Sequence, residues 1–165
     1  MSYFLTCIAI GIGATAFLDL WSWARNRVAG VPLPDYRLVG RWFAYMPRGR
    51  FCHPSITATK PVAGEALVGW VAHYAIGILF AFGLLAFAGE GWARQPTLGP
   101  ALLIGIATVA APLLLMQPAM GAGLAARRSP RPWAARARSL VTHAVFGAGL
   151  YLAALAISLP TQSGN

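Results

Sequence analysis

The sequence predicts an all-α polytopic membrane protein, with four transmembrane helices in two tandem hairpins and a short interfacial helix in the first long connection. Three observations predict it. Hydrophobic residues make up 58% of the 165-residue chain and charged residues 10%, and the mean hydropathy is +0.61, so there is too little polar surface for a soluble domain. Four apolar runs of about 20 residues, each long enough to cross a hydrocarbon core of roughly 30 Å, alternate with polar segments. Finally, nearly all the cations behind the net charge of +9 lie in two of those segments, a distribution that reads as membrane topology rather than nucleic-acid binding. A single transmembrane domain over 1–165 is expected, with spans at 3–24, 65–88, 97–118 and 139–159.

The first span runs from Tyr3 to Trp23, with Asp19 near its end and Trp21 and Trp23 placed like an interfacial aromatic belt. A cleaved signal peptide would explain Ala14-Thr15-Ala16, but no positive charge precedes the apolar run while Arg25 and Arg27 follow it, which favours a retained helix. Residues 25–64 are punctuated by Pro32, Pro34, Pro47, Pro54 and Pro61, and are too long for a hairpin turn. Within them, Leu38, Val39, Trp42, Phe43, Tyr45 and Met46 recur at helical spacing, predicting an interfacial helix over 36–46 that serves as a membrane anchor or as a lid over a polar site. The second span, Gly64–Ala88, carries Glu65 at its mouth and His73 roughly 12 Å further in at about 1.5 Å per residue. A short turn, GEGWARQP, precedes a third span that Pro112 and Pro118 interrupt. Glycine and proline then break the pattern from Met116 to Gly123, as backbone at membrane depth does where it is buried in protein or lines a cavity. The fourth span starts near Ser139, with His143 close to its beginning.

Seven Lys and Arg lie in 25–64, five in 119–138, and one, Arg94, in the turn between the second and third spans. Four spans put the two rich segments on one side, and the positive-inside rule makes that side the cytoplasm, with both termini facing the periplasm or cell exterior. Val71-Ala72-His73-Tyr74-Ala75-Ile76-Gly77 also matches Val141-Thr142-His143-Ala144-Val145-Phe146-Gly147 without a gap, and Ile10-Gly11-Ile12 matches Ile104-Gly105-Ile106. An internal repeat of two hairpins, related by an axis along the membrane normal, follows from this.

The candidate ligand-binding residues are His73, His143, Asp19, Gln117 and Glu65, all in the cytoplasmic half of such a bundle. Intramembrane ionisable groups are costly and commonly mark sites, but each has a plainer reading. The histidines could bond helices together, Asp19 could pair with Arg25, and Glu65 could answer the positive end of its helix dipole. Met116 and Met120 could offer thioethers to a soft metal, although methionines at this spacing usually pack. Cys52-His53 is expected to be a solvated loop pair and no chelate; Cys7 and Cys52 read as free thiols. No metal site is assigned, His73 and His143 being weak candidates, and the cofactor is unknown.

Gly40-Arg41-Trp42, Met46-Pro47-Arg48-Gly49-Arg50-Phe51, Gly69-Trp70-Val71-Ala72-His73-Tyr74-Ala75-Ile76-Gly77, Arg94-Gln95-Pro96-Thr97, Met116 to Gly123 and Ser139-Leu140-Val141-Thr142-His143 together resemble a family of small bacterial inner-membrane proteins classed only as a domain of unknown function. The likeness covers nearly the whole chain and implies a four-helix membrane fold without assigning a catalytic residue. Three function classes remain. The first is a non-enzymatic protein that binds or passes a small molecule or ion through a polar pocket, as a homodimer or a subunit of a larger complex. The second is a metal- or haem-binding enzyme or electron carrier using His73 and His143. The third is a structural or assembly subunit. The lipid bilayer is the expected partner and nucleic acid is not.

Overall fold

The computed structural model describes residues 2–162, whose regular elements are helices with no strand among them. Seven α-helices follow in order: α1 (Tyr3–Ala29), α2 (Tyr36–Tyr45), α3 (Glu65–Ala88), α4 (Gly91–Arg94), α5 (Leu98–Ala107), α6 (Gln117–Ala119) and α7 (Pro132–Gln162). Four stretches are long and apolar enough to cross a membrane: Tyr3–Ala29, Glu65–Ala88, Leu98–Ala119 and Pro132–Ser158. The protein is therefore an all-α polytopic membrane protein, as its hydropathy requires.

Helix ends differ from the sequence expectation for local reasons. Helix α1 continues past Trp23 until Gly30, whose left-handed φ of 63° lets its N–H close on the Asn26 carbonyl at 3.0 Å. Helix α7 begins at Pro132, seven positions before the expected Ser139, because a proline is well placed in a first turn, where its missing N–H costs nothing. The short α4 was not anticipated. Trp92 buries itself there and donates from Nε1 to the Thr97 carbonyl at 3.1 Å.

The chain groups into two compact units. Unit 1 comprises 1–33, 74–108 and 142–165, and its core is built from Cys7, Ile10, Ala14, Leu18, Leu84, Phe146 and Leu150 among others. Backbones meet there at glycines. A Cβ on Gly11 of α1 would strike Ile78 and Gly77 of α3, and one on Gly105 of α5 would strike Gly147 of α7. With little hydrophobic drive between helices in lipid, close approach over small residues supplies the contact.

Unit 2 comprises 34–73 and 109–141. Its apolar centre is Trp42, Ile56 and Ala119, with Leu38, Phe43, Met46, Met116 and Met120 packed around them. The third span loses its regular form here. After α5 it passes through a π-helical turn, Ala111–Met116, in which the Gln117 N–H reaches back to the Pro112 carbonyl. Three further α-helical residues lead to Gly121, at φ 98°.

Candidate functional site

In unit 2 the organising group is Arg41. Its Nε and Nη2 each lie 2.8 Å from a Glu65 carboxylate oxygen, and its Nη1 donates to the carbonyls of Ile56 at 3.1 Å and Thr59 at 2.8 Å. Glu65 Oε2 also accepts from the Val62 N–H at 2.9 Å. Both charges are largely shielded, with side-chain exposures of 9% for Arg41 and 12% for Glu65, so this is a buried, hydrogen-bonded pair of the strong kind. Helix α2 reaches α3 because both surfaces are glycine. A Cβ on Gly40 would collide with the Glu65 carbonyl, and one on Gly69 with the Tyr36 carbonyl.

This arrangement clamps α2 onto the first turns of α3. Glu65 answers Arg41, which neither of its sequence readings foresaw. The sign was legible, since Leu38, Arg41, Trp42 and Tyr45 occupy i, i+3, i+4 and i+7. That spacing puts one arginine on the apolar stripe, where it needs a buried partner.

The loop after α2 is tied down from both sides. Trp42 Nε1 donates to the Phe51 carbonyl at 2.7 Å, and the Tyr45 hydroxyl donates to the Lys60 carbonyl at 3.1 Å. The His53 N–H donates to the Ala119 carbonyl at 2.7 Å and the Ile56 N–H to the Met120 carbonyl at 3.0 Å. Carbonyls released by the break in the third span thus find donors in this loop, as backbone away from water requires. Gly121 permits the contact, for a Cβ there would meet the Pro54 carbonyl.

The expectation of a solvated His53 is corrected, because its residue is only 3% exposed. Burial, with the nearby Arg50 charge adding to it, holds the imidazole below its ordinary range and hence neutral at pH 7. The Thr59 hydroxyl gives its proton to the Ser55 carbonyl at 2.8 Å, so at 3.1 Å it accepts from His53 Nδ1–H. This leaves Nε2 as a bare acceptor, buried and without a hydrogen-bond partner among the described residues. Sequence reading missed the residue because nothing in Cys52-His53-Pro54 signals a loop folded inward. Cys52, next to it, is exposed.

Gln117 stands at the end of the π-helical turn. Its backbone carbonyl accepts the Ala122 N–H at 2.8 Å, and its amide nitrogen lies 3.4 Å from Ser139 Oγ. Its side-chain oxygen is buried with no partner among the described residues. Met116 and Met120 fill space against Trp42 and Ile56.

The remaining candidates have local partners. In unit 2, the ring of His73 stacks on Tyr36 with centroids 4.0 Å apart and 24° between planes, and Trp70 meets both rings edge-on. In unit 1, the Tyr74 hydroxyl donates to Asp19 Oδ2 at 3.1 Å, while the Arg25 guanidinium lies over Trp21, 4.3 Å from the ring centre. Thr108 Oγ1 donates to the Gly105 carbonyl at 2.6 Å and therefore accepts from His143 Nδ1–H at 2.8 Å. His73, Glu65 and Gln117 thus belong to unit 2, and Asp19 and His143 to unit 1. Among the described residues no three His, Cys, Asp or Glu side chains group as metal ligands would.

Residues 8–157 match a family described as protein of unknown function (DUF2938). The chain belongs to this family. The match runs across all four candidate spans, so the clamp at Arg41 and the break at Gln117 both lie inside the family's extent. Comparison with curated proteins and with solved structures gives no match.

Proposed function

We propose that the protein is a non-enzymatic inner-membrane protein, acting as one transmembrane domain, that binds or passes a small molecule or ion where its third span breaks. The observation that carries this reading is the buried Gln117 side-chain oxygen at the end of the π-helical turn, which has no hydrogen-bond partner among the described residues. Buried polar atoms in proteins almost always have partners, π-turns concentrate at functional sites, and interrupted spans form the binding sites of many transporters. His53 Nε2, on the loop bonded to Ala119, is a second acceptor in the same condition. Two acceptors without donors favour a ligand that brings N–H or O–H groups. Native mass spectrometry of protein released from mild detergent, with an absorption spectrum and elemental analysis, tests this. The wild type is expected to carry a bound species that Gln117→Leu lacks. The same bound mass on both polypeptides, or none on either, would overturn the proposal.

Part of the same reading is that both arginine-rich segments face the cytoplasm and both termini the periplasm. Cys52 is exposed and Cys7 is buried, so an impermeant thiol reagent addresses one site. Cys52 is expected to react only after the cells are broken. Labelling in intact cells would reverse the orientation. An internal duplication is supported by the crossings in unit 1, where Gly11 meets Gly77 and Gly105 meets Gly147, the glycines of the two matched sequence pairs.

A further inference from the structure

We propose that the turn carrying Arg127, Arg128 and Arg131, together with Leu124 and Trp133, is a binding surface for the phosphodiester headgroups of anionic lipids. Segment 109–141 holds Arg127, Arg128, Arg131, Arg136 and Arg138 and has no Asp or Glu. The acids elsewhere in unit 2, Asp35 and Glu65, are each engaged by an arginine of their own, Arg37 and Arg41. No carboxylate of this unit is left to pair with the five, and the arginine fork suits phosphate.

The backbone arranges these groups. Gly123 lacks a Cβ that would sit 2.9 Å from Arg127 Cγ and 3.1 Å from Arg128 Cγ, so both stems fold across the turn. Ala125 and Ala126 follow at φ 49° and 58°, a left-handed conformation that costs an alanine energy and so has to be held in place. Arg136 holds it: its Nε donates to the Ala125 carbonyl at 2.7 Å, while its guanidinium lies 4.6 Å from the centre of the Trp133 ring. Beside the arginines, Trp133 is 79% exposed and Leu124 52%. A soluble anion would leave both apolar side chains in water. A lipid leaflet buries them at the acyl boundary while its phosphates meet the guanidinium groups.

The test reads the thermal unfolding midpoint of purified protein in nonionic detergent as phosphatidylglycerol, phosphatidylcholine or inorganic phosphate is added. Phosphatidylglycerol is expected to raise the wild-type midpoint by several degrees and the other two to leave it unchanged. R127Q/R128Q/R131Q should lose most of that rise, whereas R48Q/R50Q, which removes cations from the other basic segment, should keep it. If the triple variant does not fold, L124S/W133A, which retains every charge, takes its place and should lose the rise as well. The proposal is overturned by no response to phosphatidylglycerol, by an equal response to phosphatidylcholine, by an undiminished response in the variants of the turn, or by an equal loss in R48Q/R50Q. A rise with inorganic phosphate alone would make the site one for free anions and overturn the lipid assignment. None of these outcomes bears on Gln117.

Discussion

Arg41→Met is expected to cost about 3–5 kcal/mol, the range found when one partner of a buried ion pair is removed and the other is left without compensation. Three groups lose a donor together: the Glu65 carboxylate and the carbonyls of Ile56 and Thr59. Helix α2 and residues 51–64 should then open as one piece, seen as faster amide hydrogen exchange there and as cleavage by added protease. The double variant Arg41→Met/Glu65→Leu should recover part of the loss, because it removes the buried charge. It should not recover all of it, since the Thr59 carbonyl then lacks its Arg41 donor and the Val62 N–H its Glu65 acceptor, at about 1–3 kcal/mol each. A loss for Arg41→Met below about 1 kcal/mol would show that solvent screens the pair as it does at a surface.

Gly40→Ala should have the next largest effect, about 1–3 kcal/mol of overpacking, through a single added methyl group. The new Cβ would lie 2.9 Å from the Glu65 carbonyl carbon and nearer still to the carbonyl oxygen, all of it backbone that cannot rotate away. Helix α2 must move off α3, and the Arg41–Glu65 geometry goes with it. Exchange protection over 51–64 should therefore fall as it does in Arg41→Met, although no charge has changed. Gly83→Ala, in the same α3 but with open space around its Cβ, is the matched control and should stay within about 0.5 kcal/mol of wild type. Equal behaviour of the two glycine variants would disprove the close-approach account of α2.

Both predictions concern a feature that was half visible in the sequence. The periodicity of 36–46 was enough to predict α2 and its apolar face, because a helix buries whatever recurs every three to four residues. That Arg41 shares this face was also readable, but its partner lies 24 positions away and nothing local names it. Gly40 and Gly69 look like ordinary helix-weakening residues until two backbones are seen to meet at them.

By itself the sequence determined the all-α class, the four spans, the basic segments between them, the break near Gln117 and the matched glycine positions. Each of these follows from composition, run length or spacing along the chain, which the bilayer and the helix period convert directly into structure. Only the tertiary structure decided that His53 turns inward, that Glu65 belongs to Arg41, that His143 leans on Thr108 and Asp19 on Tyr74, and that Ala125 and Ala126 adopt left-handed backbone. These depend on which distant groups must satisfy one another once water is excluded. A buried donor or acceptor takes the partner that packing brings within about 3 Å, and distance along the chain says little about which one that will be.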